Sequence, residues 1–323
     1  MVKFYCKSVG HITDYMCLKM IGECMVIPVS LLEAFWEWDG KMDQKRLASQ
    51  VFPTDLVEDN DIAYLPTGHK YHMLDVYYPE GTPSKAKLPV IIDIHGGGWL
   101  YGSKDINKNY CLHLAQKGFV VFNISYRLCP EVTVKEQVQD CMAALDFISK
   151  NLLSKYPCDK KRIYVTGDSA GGQLAGFVVA LNVSEKLRKV FDTANPGLKI
   201  KAAALTSPCP YLEPKGLMKA YLPHVLGKKW KKQDWAKYVD FDKVIHAAKD
   251  DYPPTIIFTS FADFLAKDQS KKAYKYMKSK GIKVKYDFER DPRLMHVYAV
   301  LNPDDKSSQR AINEMVKFFS KCK

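Results

Sequence analysis

Gly167-Asp168-Ser169-Ala170-Gly171 restricts how this chain can fold more than any other stretch. Before it, Arg162-Ile163-Tyr164-Val165-Thr166 reads as a buried strand, and after it Gln173 to Ala180 reads as an apolar helix. A serine framed by glycines between strand and helix is what a nucleophile elbow requires, a turn tight enough to hold Ser169 at strained backbone angles. A Cβ at Gly167 or Gly171 would strike the neighbouring strand or helix, which accounts for glycine at both. A five-residue pattern alone arises by chance. The strand–turn–helix setting, with His95-Gly96-Gly97-Gly98 upstream, makes this one specific.

Past about residue 60, strand and helix candidates alternate, which implies a mostly parallel sheet covered by helices on both faces. The strand candidates are Tyr71–Tyr78, Pro89–Ile94, Val120–Ser125, Arg162–Thr166, Lys201–Thr206, Thr255–Thr259 and Val284–Phe288. Helices are expected at Asn107–Lys117, Val134–Leu153, Gly172–Leu181, Lys267–Lys280 and Ser308–Phe319. Length alone suggests two domains, yet the alternation runs on without a linker, so residues 1–323 are expected to form one α/β domain.

No apolar run approaches the roughly 20 residues a bilayer crossing needs, and Asp14, Lys19 and Glu23 interrupt the N-terminus before a signal-peptide core could form. Nine cysteines with no C-x-x-C pair fit neither a disulfide framework nor a zinc site. Free thiols in a reducing compartment follow, so the chain is expected to be cytoplasmic. The net charge of +12 gathers in Lys228–Lys232 and between Lys271 and Lys285. In the second region Tyr274, Tyr276 and Met277 interleave with lysines at helical spacing, as on a solvated amphipathic helix. No nucleic-acid signature accompanies the charge, and the oligomeric state is left open.

A serine hydroxyl at pH 7 needs a general base, and the base needs an orienting carboxylate. An elbow presents them in the order Ser, Asp/Glu, His. Downstream of Ser169 stand His224, His246 and His296. The first two fall in segments without strand alternation, whereas His296 follows the last strand candidate, on a loop that can reach over the strand ends. Thr255 to Ala262 runs straight into Asp263, the fitting acid; Asp268 is the alternative, and Asp287 and Asp291 rank below both. The oxyanion needs backbone N–H donors, each worth on the order of 10²–10³ in rate. The glycine run after Pro89–Ile94 can supply two, and Ala170 at the start of the elbow helix a third.

His95-Gly-Gly-Gly-Trp99, Ser125-Tyr-Arg-Leu-Cys-Pro-Glu131 and Gly167-Asp-Ser-Ala-Gly-Gly172 resemble the hormone-sensitive lipase-like branch of the α/β-hydrolase esterases, as do Pro253-Pro254 and Asp263-Phe-Leu265. The resemblance runs from about Asp75 to the C-terminus. It implies Ser169 as nucleophile, Asp263 as acid, His296 as base and Gly96, Gly97 and Ala170 as oxyanion donors. The acid loop reads Asp-Phe-Leu-Ala-Lys where the family has Asp-Pro-Leu-Arg-Asp, and Met295-His296-Val297-Tyr298 replaces His-Gly-Phe. Neither change removes a catalytic group.

The expected activity is hydrolysis of small-molecule carboxylic esters with short acyl groups, through an acyl-enzyme and without metal or organic cofactor. Cleavage of acetyl or feruloyl groups from sugars, or of amides and formamides, would use the same triad; a non-catalytic ligand receptor is the reading from another class. Residues 1–50 and about 211–252 fit the alternation badly and are expected to act as a cap or lid. Trp36, Trp38 and Trp230, with Trp99 after the glycine run, are expected to wall the substrate pocket.

Overall fold

The computed structural model describes residues 28–213 and 217–322. The expectations placed on the first 27 residues therefore lie outside the described residues. Eight strands, β1 (Leu56–Ala63), β2 (Met73–Pro79), β3 (Leu88–Ile94), β4 (Val120–Ile124), β5 (Cys158–Asp168), β6 (Ile200–Thr206), β7 (Thr255–Ser260) and β8 (Val284–Glu289), form one sheet in the order β1-β2-β4-β3-β5-β6-β7-β8. The first two pairings, β1 with β2 and β2 with β4, are antiparallel, and all the others are parallel. The helices are α1 (Val29–Ser49), α2 (Lys108–Gln116), α3 (Val134–Phe147), α4 (Ser169–Val183), α5 (Glu185–Phe191), α6 (Leu217–Leu226), α7 (Phe241–Ala248), α8 (Lys267–Ser279), α9 (Tyr298–Leu301) and α10 (Lys306–Ser320).

The apolar runs of the central strands fill both layers. Alternate side chains of a strand point to opposite faces, so Val90, Ile92 and Ile94 join one core, with Val138, Leu145, Leu174 and Val178 of α3 and α4. Ile91 and Tyr164 join the other, with Leu114 of α2 and Ile312 and Phe319 of α10. There Tyr164 stacks on Phe319 at 4.3 Å and donates its hydroxyl to the Phe319 carbonyl.

Each expected strand forms, with ends shifted by a residue or two except for β5, which starts four residues early. β1 is the addition: Leu56-Val-Glu-Asp-Asn-Asp-Ile-Ala63 carries too many charges to read as a strand, and it survives at an edge with one neighbour. The expected Val134–Leu153 helix is α3 followed by a wider turn over Ile148–Leu152. The elbow helix begins at Ser169 rather than Gly172, which places the Ala170 N–H in its first turn. On α8, Ser270, Ala273 and Met277 are buried while Lys271, Lys272, Lys275 and Lys278 face out, the solvated face the spacing implies.

Among the described residues, 211–252 contains α6, two short 3-10 turns and α7, but no strand. Leu222, Val225, Trp235, Tyr238 and Phe241 are buried in the same core as α4. From the N-terminal side, α1 crosses to the strand ends. Trp36 stacks on Tyr101 at 5.4 Å, Tyr101 donates its hydroxyl to Asp43 at 3.1 Å, and Arg46 donates to the Leu301 carbonyl at 2.7 Å. Among the described residues no helix is long and apolar enough to cross a membrane.

Close approach of backbones governs the sheet's centre. Ile94 pairs with Gly167, and a Cβ on Gly167 would lie 2.5 Å from the Gly171 carbonyl oxygen and 2.9 Å from that of Ile94. A Cβ on Gly171 would run into the Ile94 and His95 carbonyls, and backbone there cannot give way as a flexible side chain can. Gly171→Ala is expected to destabilise the fold by roughly 3 kcal/mol, read as a lower urea midpoint; a midpoint unchanged within error would contradict this packing.

Candidate active site

β5 delivers Ser169 to the turn at φ 52°, in the left-handed region that non-glycine residues avoid. His296 arrives on the loop between β8 and α9. That loop is fastened where the Val297 N–H donates to Ser207 Oγ at 3.1 Å and where Ser260 Oγ donates to the Leu294 carbonyl at 2.6 Å. His296 Nε2 lies 2.8 Å from Ser169 Oγ, and its Nδ1 lies 3.0 Å from Asp263 Oδ1. With the Nδ1 proton donated to the carboxylate, Nε2 is left to accept from the serine hydroxyl. Asp263 is fully buried just after β7 and also accepts from the Ala266 N–H at 2.9 Å and Thr259 Oγ1 at 3.0 Å.

The electrostatics follow from these contacts. Burial works to raise the Asp263 pKa, but the charge and hydrogen bond of His296 and the Ala266 N–H outweigh it and hold the carboxyl below its ordinary range. For His296, burial works downward, and the carboxylates of Asp263 and Asp168 outweigh it, so the imidazole pKa is raised. Asp268 is exposed in the first turn of α8, Asp287 pairs with Arg310, Asp291 is gripped by Arg293, and His246 is exposed on α7. None of these reaches Ser169 or His296.

The oxyanion side needs one correction. The Gly96 N–H donates to Asp168 Oδ1 at 3.0 Å, so it is already committed and cannot serve an oxyanion. Among the described residues the N–H groups of Gly97 and Gly98 donate to no partner, and the Ala170 N–H is one of the first-turn donors a helix leaves open. Gly97 sits at φ 105° with the Tyr101 backbone pressed where a Cβ would be, which requires glycine.

Three positioning side chains carried too little sequence signal to be picked out. Asn107 donates through Nδ2 to both Asp168 (2.8 Å) and Asp93 (2.9 Å), bridging two buried carboxylates under the glycine loop. Burial pushes the Asp168 pKa up to about 6; burial and the Asp168 charge push Asp93 up to about 7. The motif contained Asp168, but nothing in it revealed which N–H it would hold. Gln173 accepts from Trp99 Nε1 at 2.8 Å and donates to the Pro210 carbonyl at 3.1 Å, joining the glycine loop to the start of the 211–252 segment.

The tryptophans divide. Trp36 lies against Tyr101 beside the glycine loop. Trp99 is only 3% exposed and is pinned to Gln173, so it anchors the loop rather than offering a pocket wall. Trp38 is 38% exposed on α1, and Trp230 packs half-buried on the core edge under Lys231. Cys209 completes the surroundings of the nucleophile, its Sγ 3.9 Å from Ser169 Oγ. No cluster of three or more metal-ligating side chains occurs among the described residues.

Sheet order, elbow and loop positions define the α/β-hydrolase fold. The chain belongs to the BD-FAE family, whose profile matches residues 74–277. It is 36% identical over 121 residues to neutral cholesterol ester hydrolase 1 of Mus musculus, covering 34% of this chain and 29% of that protein. It is 27% identical over 165 residues to carboxylesterase NlhH of Mycobacterium tuberculosis, about half of each chain. This chain thus spans less than two thirds of the length of either relative. Among solved structures, esterase B from Lactobacillus rhamnosis inhibited by a C4-C4 tributyrin phosphonate superposes with a TM-score of 0.85 at 27% identity, over 91% of this chain and 94% of that one.

Asn107→Ala, by loosening Asp168 under the glycine loop, is expected to cut kcat about 10–100-fold with less effect on KM; an unchanged kcat would show that the bridge has no part in catalysis. A raised His296 pKa means that imidazolium, which cannot accept the serine proton, persists to higher pH than for a free imidazole. The rate kcat/KM is therefore expected to fall on acidification with a midpoint above 6.5, and Asp263→Asn to move that midpoint down. A wild-type midpoint below 6.5 would contradict the assignment.

Proposed function

We propose that this chain is a serine carboxylic-ester hydrolase working through an acyl-enzyme on Ser169, with a preference for short acyl groups. The observation that carries the reading is the unbroken hydrogen-bond chain Asp263–His296–Ser169. Ser169 Oγ attacks the ester carbonyl carbon as His296 Nε2 takes its proton, and Asp263 stabilises the imidazolium that forms. The carbonyl oxygen becomes an oxyanion facing the N–H groups of Gly97, Gly98 and Ala170. As the tetrahedral intermediate collapses, the C–O bond to the alcohol breaks and His296 returns the proton to that oxygen. Water then attacks the acyl-serine by the same route, releasing the acid and restoring Ser169.

Membership of the BD-FAE family and the likeness to esterases and a carboxylesterase support the reaction class. The short-acyl preference is supported by the C4 phosphonate of esterase B and by the crowding of Cys209 against the nucleophile. The six cysteines of the described residues are all free thiols, which supports a reducing, cytoplasmic setting.

Ser169→Ala is expected to lower turnover of p-nitrophenyl acetate by at least about 10⁴-fold, and a fluorophosphonate is expected to label the wild-type peptide containing Ser169. Full activity in the variant would overturn the proposal. Across p-nitrophenyl esters, kcat/KM is expected to be higher for butyrate than for palmitate, and the reverse order would remove the short-acyl preference.

A further inference from the structure

The loop that carries Asp263 is apolar on the outside. While Asp263 and Ala266 are buried, Phe261, Phe264 and Leu265 stand 56%, 40% and 37% exposed within five residues. Surface loops are normally polar, and clustered exposed apolar side chains rimmed by charge mark an interaction surface. Lys267 supplies part of that rim: its Nζ lies 5.2 Å from the centre of the Phe261 ring and donates to the Phe261 carbonyl at 3.1 Å. The Phe261 N–H donates to the Glu289 carbonyl at 2.8 Å, which sets exposed Arg290 beside the same tip. Exposed Arg293 follows on the His296 loop, which Ser260 fastens to β7, and exposed Lys271 lies one helical turn beyond Lys267.

The facing carboxylates are few. Asp291 and Arg293 neutralise each other at 2.6 Å and Glu289 is paired with Arg310 at 3.1 Å, which leaves exposed Asp268 in the first turn of α8 and half-buried Asp242 across the hollow from Lys271, against Lys267, Lys271 and Arg290. The rim is therefore net positive around an apolar centre.

We propose that this edge docks on an anionic phospholipid surface, with Phe261, Phe264 and Leu265 entering the headgroup–acyl boundary and Lys267, Lys271 and Arg290 facing lipid phosphates. Apolar insertion combined with basic side chains is what holds a protein in the plane of such a surface. A nucleic acid would offer the two aromatic rings bases to stack on, but it gives Leu265 no apolar medium; a lipid boundary accepts all three. The Asp263 loop forms this edge and the His296 loop is fastened to it through Ser260, so docking brings both loops of the candidate triad to the lipid surface. The inference extends the esterase reading to esters dissolved in or extracted from a membrane.

The test is co-sedimentation of the full chain with phosphatidylcholine vesicles, with and without 30% phosphatidylserine, at low salt and at 0.5 M. At least about tenfold tighter binding to the anionic vesicles is expected, weakened by salt. The pairs Phe261→Ser with Leu265→Ser, and Lys271→Glu with Arg290→Glu, are each expected to weaken it about tenfold or more. The charge pair should leave turnover of soluble p-nitrophenyl acetate unchanged, and an unchanged thermal midpoint for both pairs reports that they fold. No preference of the wild-type chain for anionic vesicles would overturn the proposal without need of any variant. So would binding to heparin or single-stranded DNA that outlasts loss of the apolar pair, since that describes a polyanion site. Vesicle binding by a chain inert toward every ester would sink the esterase reading and leave the docking standing.

Discussion

The parallel pairing of β3 with β5, closed by Ile94 against Gly167, brings two loops out of the sheet side by side, and the remaining site geometry is built on that closeness. Because Gly167 and Gly171 have no side chains, the elbow helix can press against the end of β3 until its first turn shares space with the His95 carbonyl. Only at that separation can the Asp168 carboxylate, one residue before Ser169, hold the Gly96 N–H across the gap. That bond sets the path of the glycine run, and Gln173, a turn along the same helix, holds its far end through Trp99. The Ser169 turn and the glycine loop are thus tied together at both ends of the run.

Three buried carboxylates around these loops do different work because their partners differ. Asp263 gathers a ring nitrogen, a backbone N–H and a hydroxyl and stays ionised. Asp93 and Asp168 share one amide through Asn107, have among the described residues no cationic ring bonded to them to match His296 at Asp263, and are pushed toward neutral pH. The Asp168 charge adds to burial in raising the Asp93 pKa. The glycine loop rests on Asp168 through the Gly96 N–H, while His296 feels the charge of Asp263 and, beyond it, that of Asp168.

Much of this was legible from residue pattern, for identifiable reasons. Central strands such as Val90-Ile-Ile and Val120-Val-Phe are buried on both faces, so an apolar run announces them. β1 escaped because an edge strand needs only one partner and tolerates Glu58, Asp59 and Asp61. Ser169, Asp263 and His296 could be named from order and position relative to strands, and they do lie within hydrogen-bond reach of one another. The choice of Gly96 as a donor went astray because a glycine run does not reveal which of its N–H groups a neighbouring carboxylate will claim. Asn107 and Gln173 act through distances set by tertiary packing, to which a linear pattern is blind. Trp99 looked like a pocket residue for the same reason: its indole N–H partner lies 74 positions away.

Helix α1 touches both halves of the site, Tyr101 behind the glycine loop through Trp36 and Asp43, and Leu301 behind the His296 loop through Arg46. The bonds to Tyr101 and Leu301 run through side chains, and most of the helix surface faces solvent. Such a layer opens at lower free energy than the sheet beneath it. Local opening of α1 would release Tyr101 and Leu301 together while leaving β3 and β5 paired, making the outermost element a shared thermal fuse for the glycine loop and the His296 loop.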